Sequence, residues 1–338
     1  MNVSEADFST QGTPAQKLGL ALKYAVLAPS EHNWQPWQFR LVDQHLELFA
    51  NDEPALEAAD PDGRELIISC GMSLFYLKLA LKHFGCLGRV ELFPDLDQPR
   101  LLARVYSGFG QAKDPHEHEL FEAMTQSRSN PSSFRESPIS EATLEMLRDP
   151  VLVEKAWVEF SQNEYSRQRW LALAATGARR EMVAVRSRGE PDLQVDPGGA
   201  TRSATARNGP LQLGMTQRPG PVLAFTVSTS DSGSLVVEPS SQATGPKAPL
   251  AVLKSKTDDK HGWLATGQAM ARVLLQAQAS GLSWWFSNRA LHRRNTREEL
   301  RTAIGRKGFP QAIMRFGSRR AETVIPPAVT QSVRVVAR

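Results

Sequence analysis

Two stretches of this chain repeat each other's pattern of small and large residues: 65–84 (ELIISCGMSLFYLKLALKHF) and 262–280 (GWLATGQAMARVLLQAQAS). Aligning Gly71 with Gly267, an offset of 267 − 71 = 196 residues, also pairs Leu79 with Leu275 and Gly85 with Gly281. It sets Ser69 and Ser73 opposite Ala265 and Ala269 as well. Each stretch is followed by an apolar strand-like run and then by ARVYSG (103–108) in one half and IMRFGS (313–318) in the other. Both read as helices, and one that is apolar almost all round belongs inside a core. A tandem repeat would dictate two related half-units folded against each other, with sites at their seam. The alternative is that two buried helices share small and large residues by chance.

Around these helices the pattern alternates between periods near 3.6 and 2. Residues 15–28 form a helix behind Thr13-Pro14, a cap followed by a first-turn proline, and Pro29 ends it. Strands are expected at 37–42, 45–49, 89–93, 102–106, 221–228 and 310–316, and further helices at 117–125, 140–148, 163–186 and 296–304. Residues 187–220 are rich in Gly, Pro, Ser, Thr and Arg and read as a long irregular insertion or lid, and 230–256 as a second irregular stretch.

With 338 residues, the chain has enough material for one large core or two modest ones. Its net charge of +4 suits an anionic ligand but is too small and dispersed for nucleic acid, and Trp284-Trp285 with His292-Arg293-Arg294 lack the repeated pattern of a nucleic-acid face. Cys70 and Cys86 have neither metal nor disulfide spacing and read as buried thiols. The opening MNVSEADFSTQG has no basic and apolar leader, and no apolar run reaches the roughly 18 residues of a membrane span, so a cytoplasmic location without membrane contact is expected. Phosphate-loop, nucleophile-elbow and dinucleotide fingerprints are missing. His116 and His118 stand two apart at a helix start, where they do not share a face, and no metal is expected.

Two polar clusters carry chemistry. In APSEHNWQPW (28–37), Pro29, Ser30, His32, Asn33 and Gln35 crowd one turn after a helix; Asn33 and Gln35 each offer a donor and an acceptor, as the polar edge of a heteroaromatic ring requires. A capped turn anchored by Trp34 and Trp37 fits the same residues. In QSRSNPSSF (126–134), Arg128, Ser129 and Asn130 could take a phosphate, or could form a plain polar loop.

Together with DPDGRELIISCG (60–71), GWLATGQAMARVLLQAQASGLS (262–283) and PQAIMRFG (310–317), these clusters resemble, in order, the nitroreductase-like FMN-dependent flavoproteins. Within them the chain is most similar to the branch that fuses two half-units in one chain. The resemblance implies an α+β sandwich, a central mostly antiparallel sheet wrapped by helices, with pseudo-symmetric halves at 1–115 and 116–338. It implies non-covalent FMN at their junction, with Pro29, Ser30, His32, Asn33 and Gln35 along the ring and ribityl side. Arg128, Ser129 and Asn130 would face the phosphate. Gly281, Leu282 and Ser283 would approach the ring edge, and Arg315, Gly317, Ser318 and Arg319 would lie near the phosphate. The sequence departs from the family at Ser127 and Pro131, where basic residues are usual, and at PPAVTQSVR (326–334), where that branch tends to carry an Arg-Arg pair; Arg319, Arg320 and Arg334 lie close by.

The implied activity is hydride transfer from NAD(P)H through FMN to a nitroaromatic, quinone or similar small acceptor, with no side chain required as catalytic acid or base. A flavin store or sensor with little turnover is the rival, motivated by the 187–220 insertion and by Trp284 and Trp285 beside the ring edge. Either would be a pseudo-dimeric monomer, with further dimerisation left open.

Overall fold

The structure is a computed structural model and describes residues 12–30, 35–51, 60, 62–109, 114–125, 134–135, 138–148, 154–187, 249–287 and 291–319. The expected strand at 221–228, the irregular stretch 188–220, and His32, Asn33, Arg128, Ser129 and Asn130 lie outside these.

Helix α1 (Pro14–Ala25) begins as the sequence dictates. The Thr13 hydroxyl accepts from the Gln16 backbone N–H at 3.3 Å, and the Gln16 side chain accepts from the Thr13 N–H at 2.8 Å, with Pro14 in the first turn. Strands β1 (Trp37–Val42) and β2 (His45–Ala50) form a tight hairpin. The long helix α2 (Arg64–His83) starts on Asp60, whose two carboxylate oxygens accept from the N–H groups of Arg64 (3.0 Å) and Leu66 (2.9 Å). Strands β3 (Leu87–Leu92) and β4 (Leu101–Ser107) follow. Next come α3 (Pro115–Thr125), the two-residue β5 (Phe134–Arg135), α4 (Glu141–Arg148), β6 (Ala156–Phe160) and α5 (Glu164–Ser187). The chain then runs through β7 (Ala251–Ser255), α6 (Lys260–Ala279), β8 (Leu282–Ser287), α7 (Arg294–Ala303) and β9 (Phe309–Arg319).

The strands make two sheets, both antiparallel, where a single central sheet was expected. The first runs β1-β2-β4-β3 and the second β6-β7-β9-β8, with β5 added to the far end of β9. No described strand bridges them, because the crossed helices α2 and α6 lie between: α2 packs on the first sheet, α6 on the second, and the two helices on each other. The stretch 230–256, read as irregular, ends in β7, which runs between β6 and β9 and is buried along its length.

Helices α2 and α6 have the same length, and their bounds differ by 196 at both ends. They touch at the residues the repeat singles out. A Cβ added to Gly71 would collide with the Leu264 carbonyl oxygen and stand 3.0 Å from the Gly267 Cα; one added to Gly267 would collide with the Ile68 carbonyl oxygen and stand 2.8 Å from the Gly71 Cα. By length and composition α2 could cross a membrane, contrary to the reading that no run is long enough, but 78% of that apolar window is buried inside the protein. It is the central member of the main core, which also takes in Leu18, Phe39, Leu48, Phe121, Leu274 and Phe316.

The far face of the second sheet is covered by α5 and α7, where Trp170, Val252, Leu291, Leu300 and Ile313 form a second cluster. The far face of the first sheet carries charge instead. Arg40, Glu47, Arg104 and Glu91 stand abreast across its four strands. Glu47 Oε2 accepts from Arg40 Nε at 2.6 Å and Oε1 from Arg104 Nε at 2.9 Å.

Candidate functional site on the β8–β9 ribbon

After α6 the chain reverses through Gly281 at φ 73°, a left-handed position that glycine occupies without strain, and enters β8 directly. Gly85, its partner in the repeat, does the same at φ 65° after α2. Antiparallel register then sets Leu282 against Ser318, Ser283 against Gly317 and Trp285 against Arg315. On the other side of β9, β5 pairs Phe134 with Arg319 and Arg135 with Ser318. The sheet therefore brings Gly281, Leu282, Ser283, Arg315, Gly317, Ser318 and Arg319 together. It also leads the chain out of the 128–130 segment to the same end of β9.

Two donors on this ribbon are buried without a partner among the described residues: the Ser283 hydroxyl and the Trp284 indole N–H. A buried polar group with no partner costs about 1–3 kcal/mol, so a strand that keeps two in succession points to a ligand. Successive strand residues face opposite sides. Trp284 lies in the main core beside Phe286, whereas Ser283 shares the face of Arg315, Gly317 and Ile313. On that face, burial pushes the Arg315 guanidinium down from its ordinary value to about 10. A desolvated cation is the chemistry an anion such as a phosphate neutralises.

The other predicted segment sits elsewhere in its described contacts. Ser30 is buried, and its hydroxyl accepts from the Gln35 backbone N–H at 2.9 Å. Gln35 adopts φ 48°, and its side-chain amide donates to the Val26 carbonyl at the end of α1, 3.3 Å away. The turn leans on α2: the Ser73 hydroxyl donates to the Ala25 carbonyl at 3.0 Å, and the Cys70 thiol to the Pro36 carbonyl at 3.4 Å. Ser30 and Gln35 thus hold the turn that carries His32 and Asn33. Pro29 sits at its entrance. Among the described residues no hydrogen bond or ring contact joins this turn to β8 or β9.

Sequence reasoning passed over two buried charge networks. Where α2, α3 and α6 meet, Lys78 donates to Gln268 (2.7 Å) and Glu154 (3.3 Å), and Arg272 reaches Glu154 at 3.2 Å. Burial holds Lys78 below its ordinary pKa. At the start of α2, Arg64 donates to the Gln311 carbonyl (2.7 Å) and side chain (3.0 Å), and pairs with Glu65. Asp258 accepts from Trp263 (2.8 Å), Gln311 (2.9 Å) and Arg297 (3.2 Å). Burial pushes the Asp258 carboxyl up, yet the donors from Gln311, Trp263 and Arg297 hold it below its usual range. Partners in these networks stand up to 247 residues apart, so no local pattern announces them. Cys70 and Cys86 are buried free thiols, as expected; burial raises Cys86 to about 11.

No family model matches the chain. It is 28% identical over 313 residues to a Mycobacterium tuberculosis protein named "Putative NAD(P)H nitroreductase", covering 92% of this chain and 88% of that one. A second protein from the same organism, named "Putative NAD(P)H nitroreductase acg", is 25% identical over 319 residues, with 91% of each chain covered. A solved nitroreductase with bound FMN from Desulfitobacterium hafniense overlaps 65% of this chain and 98% of that one at 13% identity and a TM-score of 0.38, too loose an overlap to argue from.

Proposed function

We propose that this chain is a nitroreductase-like oxidoreductase that binds FMN and uses NAD(P)H to reduce a nitroaromatic, quinone or related small acceptor. Similarity along nine-tenths of the chain to proteins named as NAD(P)H nitroreductases supports the class. The observation that carries the site is the buried, unpartnered Ser283 hydroxyl in register with Gly317 and on the face of the desolvated Arg315. Arg315 fits a flavin phosphate, and the Ser283 hydroxyl a polar atom nearer the ring.

In this reading Arg315, Gly317, Ser318 and Arg319, with Arg128, Ser129 and Asn130, hold the phosphate end. Gly281, Leu282 and Ser283 line the ring edge. Pro29, Ser30, His32, Asn33 and Gln35 close the other side. When bound, FMN supplies the hydride chemistry between nicotinamide and acceptor. The protein positions it, excludes water and places N–H and O–H donors where negative charge develops.

The two halves, 1–115 and 116–338, form one intertwined pseudo-dimer. Support comes from the matched bounds of α2 and α6, the shared strand order of the sheets, and the reciprocal contacts of Gly71 and Gly267. The far faces of the corresponding strand pairs differ: β8–β9 carries Ser283 and Arg315, and β3–β4 carries Glu91 and Arg104. Arg104 is closed by Glu47, whereas Arg315 is desolvated on the face of the unpartnered Ser283 hydroxyl.

Titration of the apoprotein with FMN tests the site. A charge-assisted hydrogen bond is worth about 1.5–3 kcal/mol, so Arg315→Leu is expected to weaken FMN binding by roughly one to two powers of ten. Unchanged affinity would take the phosphate away from β9.

A further inference from the structure

We infer that His83 and His118 form a binding site for a divalent transition-metal ion, of the zinc or nickel class, that links the end of α2 to the start of α3. The two residues are 35 apart in sequence, yet their Nδ1 atoms stand 3.4 Å from each other. Two nitrogens bound to one ion at about 2.0–2.1 Å with a tetrahedral angle between them lie about 3.3 Å apart, so the pair is already at ligand spacing. An ion between them would take a lone pair from each.

The rings are held for this. His83 stacks on Phe121 with centroids 3.7 Å apart and planes 6° apart, and meets Phe84 edge-on at 5.0 Å. The two imidazole planes lie 12° apart with centroids at 5.3 Å. His118 is exposed, which leaves the remaining coordination positions to water. Glu117 is committed to Lys82 and to Arg272, which reaches it at 3.9 Å. Imidazole nitrogens with water suit zinc, nickel and copper rather than magnesium or calcium. This site is remote in sequence from β8–β9 and does not depend on flavin binding.

The experiment uses the full chain after chelator treatment, titrated with Zn2+ and separately Ni2+ by calorimetry and by thermal melting at neutral pH. The expected result is one ion per chain and a rise in Tm. Both should be lost in acid, where protons compete with the ion for the imidazole nitrogens. His118→Gln, an exposed change that leaves the Phe121 stack in place, should weaken binding at least tenfold, and His83→Gln should do the same. His116→Gln should bind as the unaltered protein does, since two residues along a helix turn it to another face. Absence of binding, or equal affinity in His118→Gln, would overturn the proposal. Loss of binding in His116→Gln equal to that in His118→Gln would also overturn it.

Discussion

Ser283 separates a cofactor site from a packing accident because the two predict opposite signs. If its hydroxyl serves FMN, Ser283→Ala should weaken FMN binding by about tenfold, the worth of about one hydrogen bond. The apoprotein should become no less stable, and even slightly more so, since the change deletes a buried donor without a partner. Parallel losses in apoprotein stability and FMN affinity would mean a structural serine. Ser30 should behave the other way. Its hydroxyl accepts from Gln35, which sits in the left-handed region, so Ser30→Ala should cost the apoprotein about 1 kcal/mol in urea unfolding. Glu47 sets a pH dependence far from any site. Burial pushes its carboxyl up, but hydrogen bonds from Arg104 and Arg40 bring it below the ordinary 4.5. A depressed carboxylate stabilises the fold above its unfolded value and loses that contribution as pH falls through the folded value. Glu47→Gln should therefore cost about 1 kcal/mol at pH 7, since both arginines are partly exposed and screened. The gap to the unaltered protein should close as the pH falls below about 4. At this scale the sequence was legible in residue type more than in role. It singled out Ser30, Gln35 and Ser283, but only coordinates separate a residue that holds a turn from one left with a spare donor.

The α2–α6 crossing rests on two glycines, and the backbones pass too closely there for any side chain. Gly71→Ala or Gly267→Ala would push a methyl group into a carbonyl oxygen of the facing helix. Overpacking of this kind costs about 1–3 kcal/mol, more where the obstacle is backbone. Each variant is expected to lower the urea midpoint, and unaltered unfolding would mean that the helices can part without loss. This crossing was legible because small residues recur at a fixed offset. The helix caps of α1 and the antiparallel hairpin β1–β2 were legible for the same kind of reason, a local signature. β6 and β7 were not: they are short, and β7 presents no alternation because both its faces are buried, one under α6 and the other under α5 and α7. The number of sheets was also hidden, since strand pairing across distant segments leaves no local trace.

Taken whole, the molecule sets two sheets of the same strand order about two crossed helices, with unequal chemistry on their outermost strand pairs. Where the far face of β8 and β9 holds Ser283 and a desolvated Arg315, that of β3 and β4 holds Glu91 and Arg104, the latter paired with Glu47. One FMN per chain is therefore expected in quantitative release by denaturation, and two would contradict the inequality of the two strand pairs. The central claim is that this asymmetric pair of half-units turns over a flavin with a nicotinamide. Its most direct test is anaerobic mixing of the purified, FMN-loaded protein with NADH and with NADPH while the flavin's visible absorbance is followed. Bleaching within seconds by at least one of them, with colour restored by a quinone or nitroaromatic, is the predicted result. An oxidised spectrum that persists with both nicotinamides, in a protein whose flavin dithionite reduces, would contradict it.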